Sequence, residues 1–166
     1  MPGNHRATQS LIQILQKELL VCRRLVELAE AESEAIIASD IARLSNLEIE
    51  LRRRLEEQEQ LESARIVAVR DIAFALRCNG LPTLAQLLPL LPEREQQVLA
   101  QLRVQILEAQ AQLEVVTERN RMLLENALEY VRFSLDVLTG TALAPARYGT
   151  NLAALDAPVF YLDSKA

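Results

Sequence analysis

The sequence predicts an all-α fold: three long helices in an antiparallel hairpin or coiled-coil bundle, a short helical turn in the 81–91 connection, and a flexible C-terminal tail. Three observations predict it. Ala, Leu, Glu, Gln and Arg, all strong helix formers, dominate the chain, while its 166 residues include only 4 Gly and 6 Pro. Apolar residues recur at alternating spacings of three and four, the heptad period of helices that pack side by side. No stretch alternates apolar and polar residues in the manner of a strand, and aromatic residues make up only 4% of the chain. The length fits one domain, expected over residues 1–140, with 141–166 as its tail.

The first helix is expected over about 8–38, after a frayed start at 1–7. Thr8 or Ser10 can cap it, and its stripe runs Ile12, Leu15, Leu19, Cys22, Val26, Ala29, Ser33, Ile36. Ser39 and Asp40 are both good N-caps, and apolar residues resume at Ile41, so the helix breaks there. The chain then either turns back or kinks; so short a turn favours antiparallel neighbours.

The second helix is expected over about 41–78, with Leu44, Leu47, Leu51 and Leu55 first and Ile66, Val69, Ile72, Ala73 and Leu76 last. Between them RRRLEEQEQLESAR (52–65) is mostly charged. Glu48–Arg52, Glu50–Arg54 and Arg53–Glu57 are opposite charges four apart, each pair contributing ~0.3 kcal/mol on a solvated face. Arg52, Arg53 and Arg54 therefore read as self-neutralised rather than as an anion site. Asn79-Gly80 ends the helix, because Gly tolerates the left-handed conformation. In LPTLAQLLPLLPE (81–93), prolines 82, 89 and 92 forbid a long helix, and Thr83 can cap one turn. Its leucines suit a plug over the end of a bundle.

The third helix is expected over 93–139, ~70 Å of helix opened by Pro92 and closed by Gly140. Glu93 and Glu95 suit the positive end of its dipole. Its seam is Leu99, Leu102, Ile106, Ala109, Leu113, Val116, Asn120, Leu123, Ala127, Tyr130, Ser134, Val137. A second row, Leu124, Leu128, Val131, Leu135, Leu138, lies beside the end of that seam. If the second and third helices are antiparallel neighbours, the third overshoots by roughly ten residues, or ~15 Å, around Tyr130 to Leu138. Both rows can be core; the overshoot favours a partly exposed ridge that binds a partner helix. Asn120 on the seam reads first as a device for register or oligomer state, and second as a partner contact.

Nothing in the chain points to catalysis, a metal or another cofactor. The one histidine, His5, stands in the start of the chain, far from any Ser or Cys nucleophile in a recognisable pattern. No Glu-x-x-His pair or other metal spacing occurs, and glycines 3, 80, 140 and 149 form no phosphate loop. Cys22 and Cys78 each fall in an expected helix among apolar neighbours and read as small buried hydrophobes. Net charge is −5 with basic residues dispersed among acids, which argues against nucleic acid. The start MPGNHRATQS lacks an apolar signal core and no segment offers ~20 apolar residues in a row, so a cytoplasmic protein without membrane insertion is expected.

The run Asn120-Arg121-Met122-Leu123-Leu124, then Ala127-Leu128, Val131, Leu135, Leu138 and Gly140, followed by Tyr148-Gly149, resembles the FlgN family. The layout of three long helices, a leucine-rich connection and a flexible tail is similar as well. The resemblance implies a cytoplasmic chaperone of flagellar type III export. Such a chaperone binds the hook–filament junction proteins FlgK and FlgL, prevents their early assembly and delivers them to the export gate and its ATPase complex. Carried onto this chain, it implies a cargo surface of Leu124, Leu128, Val131, Leu135 and Leu138, with Asn120 and Arg121 at its polar start. It also implies an export-gate contact at Tyr148, although the family's Tyr-Gly-x-x-Gly reads Tyr148-Gly149-Thr150-Asn151-Leu152 here, without the second glycine. The expected state is a monomer or weak homodimer. The alternative is a structural coiled coil that self-associates along its seams, with Asn120 setting register between chains.

Overall fold

The computed structural model describes residues 2–78, 80 and 82–140. Among the described residues there are helices and no strand: α1 (Pro2–Ile37), α2 (Ile41–Ala75), the single turn α3 (Leu84–Leu87) leading into a 3₁₀ turn at Leu88–Leu90, and α4 (Glu93–Thr139). The fold is all-α. The expected flexible tail, 141–166, lies outside the described residues, as does Asn79.

α1 begins at Pro2, ahead of the expected Thr8. A proline is compatible with a first helical turn, where its missing N–H has no partner to lose. Further along, Thr8 is fully buried and His5 Nδ1 pairs with Glu95 in the first turn of α4. These contacts hold in helical form a start that looked frayed.

α1 and α2 are each closed by a left-handed residue that is not glycine, whereas Gly140 closes α4. At the end of α1, Ser39 has φ 55°, Asp40 N–H bonds Ala35 O at 2.9 Å and Ser39 N–H bonds Ile36 O at 3.0 Å. This is a Schellman closure. Asp40 then serves twice, because its carboxylate accepts from Arg43 N–H at 2.9 Å and caps α2. At the end of α2, Arg77 takes φ 56° while Cys78 N–H bonds Ala73 O at 2.9 Å. The helix therefore stops at Ala75, before the expected Asn79-Gly80 signal, and Cys78 lies past the helix rather than in it.

Cross-helix pairs fix the directions. Glu18–Arg65, Arg24–Glu50 and Glu34–Arg43 run in opposite senses along α1 and α2, so these two form an antiparallel hairpin. His5–Glu95, Glu30–Gln112 and Ser33–Asn120 run in the same sense, so α4 lies parallel to α1. α4 is therefore antiparallel to α2, but the two are not the close neighbours that the overshoot estimate supposed. α1 packs against both, and the backbones of α2 and α4 hardly approach each other.

The reason is legible in α1 once its partners are known. Beside the stripe from Ile12 to Ser33 runs a second heptad row: Leu11, Ile14, Glu18, Val21, Leu25, Leu28, Glu32, Ala35. All of that row but Ile14 and Glu32, which are half-buried, is buried. Rows one residue apart sit about 100° apart on a helix. A helix with two such rows seats two neighbours around it, each packed mainly on it.

The core forms two clusters. One gathers Leu11, Leu15, Val69, Ile72, Leu99 and Ile106 from the long helices, with Leu84, Leu87 and Leu91 of the connection. Thr83 and Gln86 form a capping box that sets α3 over this end, Thr83 N–H to Gln86 Oε1 at 3.0 Å and Gln86 N–H to Thr83 Oγ1 at 3.3 Å. The other cluster gathers Val21, Leu25, Val26, Ala29, Leu113 and Val116, with Leu51, Leu55 and Leu61 against it.

Candidate docking surface

The surface begins where the core ends, at Asn120. Its side chain is 3% exposed and is held entirely by α1. Nδ2 donates to Ala29 O at 2.8 Å and to Glu32 Oε2 at 2.9 Å, and Oδ1 accepts from the Ser33 hydroxyl. Arg119 Nη2 donates to the same hydroxyl at 2.8 Å. Each amide group of Asn120 thus has its partner, which a buried polar side chain requires. The network pins the register of α4 on α1.

That register sets how much of α4 is left uncovered. Ile37 ends α1 four residues past Ser33, so α1 runs out level with about Leu124. α4 continues to Thr139, about 22 Å further. No residue from 121 to 140 is buried. The row expected to bind is open: Leu124 is 41% exposed, Leu128 50%, Val131 52%, Leu135 54% and Leu138 81%. The seam itself does not stay covered beyond Asn120 either. Tyr130 and Val137 are exposed, as are Met122 and Phe133, which belong to neither row. α1 is too short to reach the seam's last residues.

The charged residues of the segment do not interrupt the two rows. Arg121, Glu125, Glu129, Arg132 and Asp136 fall on one strip of the helix. Arg121 Nη2 bonds Glu118 at 2.8 Å, and its Nη1 bonds Glu125 at 2.6 Å. The hydrogen bonds with Glu118 raise the pKa of Arg121 further and lower that of Glu118. Arg121 is exposed but engaged along its own helix.

Elsewhere the polar groups are structural. Glu18 and Arg65 pair at 3.2 Å inside the α1–α2 interface, both nearly inaccessible to solvent. Burial pushes the Glu18 carboxyl up to about 7, against the pull of Arg65. Burial also pushes the Cys22 thiol up to about 12, reinforced by Glu18, so Cys22 packs as an inert hydrophobe. Arg52 and Arg54 are answered by Glu48 at 2.8 Å and Glu57 at 2.9 Å, and Arg24 of α1 reaches Glu50 at 3.1 Å. Glu57 thus pairs with Arg54 rather than with the expected Arg53.

Among the described residues, no cluster of His, Cys, Asp and Glu has the arrangement of a metal site. None of the described helices is long and apolar enough to cross a membrane. Tyr148 lies outside the described residues.

The model of the family described as FlgN protein matches residues 1–154, and the chain belongs to that family. It is a family of flagellar export chaperones that bind flagellar proteins, and not a family of enzymes. No curated protein and no solved structure is similar enough to match.

Proposed function

We propose that this chain is a cytoplasmic chaperone for hook–filament junction proteins of the FlgK and FlgL type. It holds them through the end of α4, keeps them from assembling early and hands them to the export gate and its ATPase complex. One observation carries the reading: two apolar rows on α4 continue past the core with no covering neighbour among the described residues. Leu124, Leu128, Val131, Leu135 and Leu138 make the main contact, with Arg121 at its polar edge. Asn120 contributes by fixing where the free helix starts, since its own side chain is engaged by α1.

The chemistry suits a cargo with amphipathic helices that are disordered before assembly. Covering a half-exposed leucine returns part of the ~1.5–3 kcal/mol of full burial. Ordering the cargo offsets much of that gain, so affinity of roughly micromolar order is expected, weak enough for release. Self-association as a structural coiled coil is the competing reading. It relied on Asn120 to set register between chains, and Asn120 sets register within this one.

Co-purification with FlgK and FlgL tests the proposal. The Leu128→Ala/Leu135→Ala variant is expected to lose the cargo while its helicity and melting curve stay close to those of the parent. Truncation at Gly140 is expected to retain cargo. A variant that melts much earlier would place those leucines in the core. A stable oligomer that ignores both cargoes would favour the coiled-coil reading.

A further inference from the structure

The folded part of the chain calibrates how many helices a given pattern seats. Between Leu99 and Val116, α4 buries one heptad row and packs on one long helix, α1. α1 buries two rows set one residue apart and packs on two. The exposed end of α4 carries two rows with the α1 spacing: Leu123, Ala127, Tyr130, Ser134, Val137 beside Leu124, Leu128, Val131, Leu135, Leu138. They lie about 100° apart, and the charged strip lies on the far side of the second row.

We infer that this segment holds two helices of its cargo at once, one along each row. The inference rests on the chaperone reading and adds the form of the cargo: two amphipathic segments of one junction protein. The first row is the direct continuation of the α1–α4 interface, so the helix on it prolongs the path of α1. Its end abuts the hairpin tip, where Ile37 is exposed beside a shallow, open depression lined by Glu30, Ser33, Glu34, Ile37, Arg119 and Leu123. The second helix lies a quarter turn round, along Leu124 to Leu138. The charged strip of Arg121, Glu125, Glu129, Arg132 and Asp136 is left to solvent. A single helix would cover one row and leave the other in water.

Site-specific crosslinking distinguishes the two arrangements. Benzoylphenylalanine replaces Tyr130 in one full-length variant and Leu135 in another, each irradiated with a full-length FlgK-type protein. The expected result is capture of two cargo segments that do not overlap in sequence. In parallel, Tyr130→Gln/Val137→Gln and Leu128→Gln/Leu135→Gln are each expected to weaken binding at least tenfold, with helicity unchanged. Capture of the same segment from both positions, or a Tyr130→Gln/Val137→Gln variant without effect, overturns the inference and leaves the chaperone reading standing; a Leu128→Gln/Leu135→Gln variant without effect overturns both. Capture of a second copy of this chain, or of its own residues 141–166, also overturns it. Absence of any cargo binding by the parent chain overturns both.

Discussion

In α1, the positions from Leu11 to Ala35 and those from Ile12 to Ser33 form two heptad rows one residue apart. In α4, the positions from Leu124 to Leu138 and those from Leu123 to Val137 repeat that arrangement. The first pair is almost wholly buried, and the second is mostly half-exposed or more. The apolar pattern is the same; the difference lies in what stands beside it. α2 and α4 flank α1 along most of its length, whereas α1 ends before it can flank the last turns of α4. A heptad row therefore states that a helix is wanted, and not which chain supplies it.

The largest effect should come from α1. Leu25→Ala removes a fully buried side chain from the second cluster, and a loss of about 2–5 kcal/mol in chemical denaturation is expected. Leu128→Ala, chemically the same change on the exposed rows, should cost less than ~0.5 kcal/mol. Equal losses at the two sites would erase the comparison.

Asn120→Ala stands at the boundary between covered and uncovered rows. It removes the Asn120 bonds to Ser33, Glu32 and the Ala29 carbonyl, although Ser33 keeps Arg119 and the Ala29 carbonyl keeps the Ser33 hydroxyl, and a loss of about 1–3 kcal/mol is expected. Hydrogen exchange should show the protected part of α4 receding from Asn120 towards Val116. A protected stretch that still ends at Asn120 would show that packing alone sets the register.

A third effect is confined to the covered side. The Glu18 carboxyl, ordinarily near 4.5, is raised to about 7 by burial. The folded chain therefore keeps a proton that the unfolded chain has lost between those values. Its contribution to stability is complete below the ordinary value and lost as pH rises through about 7. The melting temperature should fall between pH 5.5 and pH 8, and Glu18→Gln should flatten that slope whatever it does to absolute stability. An unchanged slope in the variant would remove Glu18 as its cause. The smallest effect is Arg121→Ala: its ion pairs are exposed, and the melting temperature should not move.

Much of the fold was open to reading in the sequence. The heptad spacing marks all three long helices, and Thr83 announces the single turn it caps. The ends were less legible. Ser39 and Arg77 adopt left-handed backbone because the Schellman bonds and the packing beyond them outweigh a local penalty of ~1–2 kcal/mol. Connection length told only part of the neighbour relation: the short turn at Ser39-Asp40 favours α1 beside α2, and the 81–91 connection leaves the place of α4 open. One signal would have found it: Ser33 is the polar break in the α1 stripe and Asn120 the first polar break in the α4 seam. Matching the two gives the parallel register, and with it the point where α1 runs out.

By itself, then, the sequence determined the helices, their apolar rows and the polar positions that pair, because these arise from propensity and period along one chain. Only the tertiary structure decided that α1 is the shared helix, and that the two rows at the end of α4 go uncovered. Both depend on where helices of unequal length begin and end beside one another, a relation between distant residues that no local pattern contains.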